Sequence, residues 1–131
     1  MTLLRGLRVL LVEDDADTRE ALQISLEGYG ARVTAAPSAK DALAAVRQEV
    51  PDAIVSDIAM PDEDGHAFLR RLRALKPERG GRVPAIALTA FTSREARELS
   101  RECGFHYHLD KPIEPAKLAE VLASLVRLTR A

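Results

Sequence analysis

Arg8-Val9-Leu10-Leu11-Val12-Glu13-Asp14-Asp15 runs from an unbroken apolar stretch straight into three acids. No polar residue alternates within Val9–Val12, so the stretch reads as a strand buried on both faces, the kind a helix-covered parallel sheet contains. Downstream the pattern recurs, where Ala53-Ile54-Val55-Ser56 ends in Asp57, and Ala85-Ile86-Ala87-Leu88 ends in Thr89-Ala90. Between these runs lie amphipathic stretches. Leu22, Leu26 and Tyr29 repeat at helical spacing, and Gly28 and Gly30 close that helix. Arg32 to Ala35 is a weaker second strand. Ala39, Ala42, Leu43, Val46 and Val50 mark the next helix, with Ser38 as N-cap and Pro51 beyond its end. Phe68, Leu69, Leu72 and Leu75 line a third helix. Ala96, Leu99 and Cys103 mark a thinly apolar fourth, and Tyr107-His108-Leu109 is a fifth strand. Leu118, Val121, Leu122, Leu125 and Val126 complete the last helix.

Strands alternating with helices require a parallel sheet covered on both faces, because each parallel pairing needs a crossover. Arg32, Thr34, His106 and His108 put polar side chains on or beside strands two and five, which therefore belong at the edges. The expected fold is α/β: a doubly wound, five-stranded parallel sheet of order 2-1-3-4-5, flavodoxin-like, in three αβα layers. At 131 residues the chain is long enough for one domain, expected over 1–131 with its core at about 7–128.

Composition narrows the function. Nineteen basic and 20 acidic side chains give a net charge of −1, which lacks the basic footprint of a nucleic-acid binder. No apolar run approaches bilayer length, and Met1-Thr2-Leu3-Leu4-Arg5 is too short and polar for a secretory signal. Cys103 is the single cysteine, so there is no disulfide framework. The expectation is a cytoplasmic domain that binds neither nucleic acid nor membrane.

In such a sheet, ligands bind beyond the carboxyl ends of the strands, at the switch point between strands one and three. Neighbouring strands lie about 4.8 Å apart, so the acids ending strands one and three, Glu13-Asp14-Asp15 and Asp57, share one small volume. Crowded carboxylates call for neutralisation, and hard oxygen donors suit Mg²⁺. Thr89 and Lys111, at the ends of strands four and five, would complete an anion pocket. Simpler roles compete: acids after a strand often cap the next helix, and Asp17 with Glu20 has capping-box spacing. Capping or solvation is the expected role of Asp15 and Asp17. Asp57, directly after a central strand, resists that explanation.

These residues resemble the receiver domain of bacterial two-component response regulators. The likeness runs from about Leu7 to Leu128. It rests on Glu13-Asp14, Asp57-Ile58-Ala59-Met60-Pro61 with Gly65 beyond, Thr89-Ala90 and Lys111-Pro112, in order. The resemblance implies that Asp57 accepts a phosphoryl group. It implies Mg²⁺ (Mn²⁺ substituting) held by Asp14, Asp57 and the backbone carbonyl of Ala59, with Glu13 acting through a water. Glu13-Asp14 is preferred to Asp14-Asp15 because Arg19 then falls at the family's usual distance, with Asp15 as ligand the lesser alternative. Thr89, Ala90 and Lys111 would bind the phosphoryl group and drive the switch, and Lys111-Pro112 is expected to be cis. The implied donor is a histidine kinase or histidine phosphotransfer domain. The output partner or attached domain is left unidentified.

Where many receivers carry Tyr or Phe three residues before the Lys, this chain has His108, with Tyr107 beside it. The Tyr107–Pro112 stretch is similar to receivers attached to hybrid histidine kinases. His66 is expected on the solvent side of helix three, and the charged face of helix four in water. Ala59 and Phe91 would flank the water that removes the phosphoryl group. Neither can orient it, which predicts slow autodephosphorylation. The rival readings are a haloacid-dehalogenase-type phosphatase, a flavodoxin-like electron carrier and a degenerate receiver kept as a scaffold. The first lacks its second Asp, because Ala59 stands there. In the second, Glu13-Asp14-Asp15 would repel the flavin phosphate. The third is opposed by retention of every motif residue.

Overall fold

The computed structural model describes residues 3–60, 64–90 and 93–130. Five strands, β1 (Arg8–Val12), β2 (Arg32–Ala36), β3 (Ala53–Asp57), β4 (Ala85–Thr89) and β5 (Tyr107–Asp110), form one sheet of order β2-β1-β3-β4-β5. Every pairing is parallel. The helices are α1 (Ala16–Gly28), α2 (Ala39–Gln48), α3 (Gly65–Arg73), α4 (Arg94–Cys103) and α5 (Pro115–Arg130), with a 3₁₀ turn over Pro77–Arg79. The doubly wound topology is the one the apolar runs imply. Among the described residues, no helix is long and apolar enough to cross a membrane.

Alternation along the buried strands feeds two cores. Val9 and Leu11 pack with Leu22, Leu26, Leu118 and Leu122 under α1 and α5. Leu10, Val12 and Ile54 pack with Leu43, Val46, Phe68, Leu69 and Leu72 under α2 and α3. Side chains of successive strand residues point to opposite faces, so each central strand is apolar throughout. All five residues of β3 and of β4 are buried, whereas β2 and β5 are partly exposed edges.

Helix starts follow local chemistry. Asp15 is the N-cap of α1, its carboxylate accepting from the Thr18 backbone N–H at 2.9 Å and the Thr18 hydroxyl at 2.6 Å. Capping is therefore done by Asp15 with Thr18, while Asp17 lies inside the first turn. Ser38 caps α2, Asp64 caps α3 and Ser93 caps α4. Two expectations are corrected. His66 is buried, because it stands three residues before Leu69 and seven before Arg73 on the inward flank of α3. Leu99 is 37% exposed, and the buried residues of α4 are Ser100 and Cys103.

The 3₁₀ turn was not legible in the apolar pattern. Gly80 there takes φ +109°, and a Cβ on Gly81 would land on the Leu75 carbonyl oxygen. Arg73 ties this region together, donating from Nε and Nη2 to the Gly104 carbonyl at 3.1 and 2.7 Å and from Nη1 to the Gly81 carbonyl at 3.1 Å.

Candidate functional site

The parallel register brings the strand ends level. Val12 pairs with Ser56, Asp57 with Leu88, and Thr89 with Asp110, so the residues that follow converge at one edge. Glu13, Asp14 and Asp57 each place a carboxylate oxygen within 4.8 Å of the others. Glu13 and Asp57 are buried, at 1% and 4% exposure, while Asp14 is half-buried. Asp15 is exposed and engaged with Thr18, so the cluster has the Glu13-Asp14 frame.

Lys111 reaches this cluster from the far side of the sheet. Its Nζ lies 3.1 Å from Glu13 Oε1 and 3.2 Å from Asp57 Oδ2. The Lys111 backbone N–H donates to the Thr89 carbonyl at 2.8 Å, and the Lys111-Pro112 bond is cis. Burial works to lower the lysine's pKa, but the Asp57 charge and the Glu13 hydrogen bond outweigh it and leave the pKa above its ordinary value. Burial first, and then the Asp57 charge, push Glu13 up to about 7, against the hydrogen bonds from the Asp15 N–H and Lys111.

Three carboxylates facing one ammonium leave excess negative charge in a mostly buried space. All the acidic donors are hard oxygens. That donor set fits a divalent cation such as Mg²⁺.

Backbone geometry holds Asp57 in place. The Ala59 N–H donates to Asp57 Oδ1 at 3.2 Å, and the Ser56 hydroxyl donates to the Asp57 carbonyl at 2.9 Å. A Cβ on Gly65 would land on the Asp57 carbonyl oxygen, so only glycine lets α3 start this close to the acidic strand end. The Arg19 guanidinium donates to the Glu13 and Asp14 carbonyls at 2.9 and 3.3 Å, bracing the acidic turn from α1.

Thr89 is buried at the end of β4, with Ala90 exposed after it. His108 lies one strand over, its Nε2 3.5 Å from Asp110 Oδ1. Thr89 and His108 line a cavity of about 640 Å³ together with Asp14, Ala59 and Met60. Pro61 and Phe91 lie outside the described residues. The contact that sequence reasoning missed is on the same cavity wall: His66 Nε2 lies 2.9 Å from Ser100 Oγ, joining α3 to α4. Its faint signal was the helical spacing from His66 to Leu69.

A doubly wound parallel sheet with an acidic cluster and a lysine beyond the carboxyl ends of its strands defines a class of α/β domains that bind ligands at the switch point. Within that class, the chain belongs to the response regulator receiver domain family, whose model matches residues 9–123. It is 43% identical over 122 residues to an uncharacterized 14.6 kDa protein of the sodA1 3′ region of Leptolyngbya boryana, covering 93% of this chain and 92% of that one. It is 32% identical over 126 residues to the sensory/regulatory protein RpfC of Xanthomonas campestris, covering 96% of this chain and 17% of RpfC. The chain likewise spans 28% of the transcriptional regulatory protein ZraR of Salmonella typhimurium. Among solved structures, the receiver domain of the Pseudomonas aeruginosa sensor histidine kinase PA1611 superposes with a TM-score of 0.84 at 34% identity, over 93% of this chain and 98% of that one. That structure has a magnesium ion coordinated in its active-site cleft. The chain is thus a receiver domain of two-component signalling.

Proposed function

We propose that this domain accepts a phosphoryl group on Asp57 from a phosphohistidine of a histidine kinase or phosphotransfer partner in the cytoplasm. It passes the signal on through the surface formed by α4, β5 and α5. The observation that carries this reading is the position of Asp57: buried at the end of a central strand, 3.2 Å from the Lys111 ammonium, within an acidic cluster. Asp14, Asp57, the Ala59 carbonyl and, through a water, Glu13 would hold Mg²⁺ or Mn²⁺. The bound cation supplies neutralisation of charge on the phosphoryl oxygens.

The chain's own residues do the rest. The Asp57 carboxylate attacks phosphorus in line. The bond from phosphorus to the donor's imidazole nitrogen breaks, and the imidazole leaves with that electron pair. Lys111 faces the charge spread over the transferring group, an effect strongest in a partly dry site. The aspartyl phosphate adds roughly −1.5 to −2 in charge and strong acceptor oxygens. Thr89 turns its hydroxyl toward them, Ala90 follows in the same loop, and His108 moves into the space Thr89 leaves. The result is a population shift of a two-state surface, not turnover of a metabolite.

Incubation with acetyl phosphate and Mg²⁺ tests the reading. One hydroxylamine-sensitive phosphoryl group per chain is expected. Steady release of phosphate from a phosphomonoester, without a stoichiometric adduct, would overturn it in favour of a phosphatase.

A further inference from the structure

α4 is weakly seated. Its buried side chains are Ser100 and Cys103, while Leu99 is 37% exposed. Along its middle lies the cavity of about 640 Å³, to which it contributes Ala96, Leu99 and Ser100. The helix therefore has room to move and little apolar surface to stop it. At its C-terminal end Arg73 holds the Gly104 carbonyl, and Arg97 meets Asp110 of β5 at 2.9 Å.

Across the cavity wall, the buried imidazole of His66 lies 2.9 Å from the buried Ser100 hydroxyl. Its ring stands edge-on to Phe105 with centroids 6.4 Å apart, which fixes the ring plane. His66 follows Gly65, whose N–H donates to the Ile58 carbonyl at 2.8 Å and where an added Cβ would land on the Asp57 carbonyl oxygen. A short covalent and hydrogen-bonded route thus runs from Asp57 through Ile58, Gly65 and His66 to Ser100. Burial lowers the His66 pKa, consistent with a neutral ring.

We propose that the His66–Ser100 hydrogen bond is a latch between α3 and α4, which holds α4 in its unphosphorylated position and must break before α4 moves. The inference rests on the reading of Asp57 as phosphoryl acceptor and names a control over the resulting switch. One intramolecular hydrogen bond is enough to shift a two-state balance about two- to tenfold.

Hydrogen–deuterium exchange in Mg²⁺ buffer is measured for wild type, Ser100→Ala, His66→Phe and the double variant. His66→Phe keeps the ring against Phe105, and the freed Ser100 hydroxyl can bond the carbonyl one turn back in its own helix. Exchange over residues 94–103 is expected to rise about two- to tenfold in each single variant. The double variant should rise no further, and α5 should stay unchanged. Unaltered α4 exchange in both single variants, or an equal rise in α5 and the sheet, would overturn the latch.

The second arm titrates beryllofluoride, a phosphoryl mimic, with Mg²⁺. The variants are expected to bind it about two- to tenfold tighter than wild type, because α4 no longer has a bond to break. Equal affinity in wild type and variants would overturn the proposal. No binding to wild type would instead sink the phosphoryl-acceptor reading, while the exchange arm still decides whether the bond holds α4.

Discussion

Asp14 and Asp15 are neighbours with opposite assignments, and their contacts explain why. Asp15 spends its carboxylate on the Thr18 N–H and hydroxyl, so Asp15→Ala should lower stability with little loss of Mg²⁺ affinity. Asp14→Ala should do the reverse, losing Mg²⁺ affinity while the fold keeps its stability. Titrating Mg²⁺ into each variant beside a denaturant melt reads both, and affinity lost only in Asp15→Ala would place the metal frame one residue on. Glu13 predicts a pH dependence. Its folded pKa of about 7 lies above the ordinary 4.5, so the neutral acid is the form the fold prefers. The corresponding stability is fully present below about pH 4.5 and is lost as pH rises through about 7. Melts in EDTA across that window should show the loss in wild type and a flatter curve in Glu13→Gln.

At the scale of elements, each strand and helix was legible where apolar periodicity set it. β1, β3 and β4 are uninterrupted runs, and the motif residues at their ends follow from chain order alone. What periodicity hid was polar burial. His66 reads as a surface residue because nothing in the sequence announces that Ser100 waits across the interface. Arg73 and the glycines at 81 and 104 were hidden for the same reason, since side chain-to-carbonyl ties join residues far apart in sequence. The Gly65 approach yields a direct test. Gly65→Ala forces a methyl onto the Asp57 carbonyl and should destabilise by about 1–3 kcal/mol, shifting the denaturant midpoint. A midpoint unchanged from wild type would mean that α3 has slack at its start.

For the whole molecule, the two cores back the sheet on opposite faces, and all the proposed chemistry sits at one end of it. Phe68 is fully buried in the α2–α3 core, remote in role from the acids, so Phe68→Ala should cost about 3–5 kcal/mol while a folded fraction retains Mg²⁺ binding. The lifetime of the signal depends on water access across the same end of the sheet. Ala59 offers no side-chain hydrogen bond to orient a water, so Ala59→Asn should speed loss of the phosphoryl group. Equal decay in wild type and Ala59→Asn would remove that argument. The central claim is the acceptor itself, and intact-mass measurement after acetyl phosphate and Mg²⁺ treatment tests it most directly on wild type and Asp57→Asn. The account predicts a single phosphoryl adduct on wild type and none on a folded Asp57→Asn, whereas an adduct at wild-type level on Asp57→Asn would contradict it.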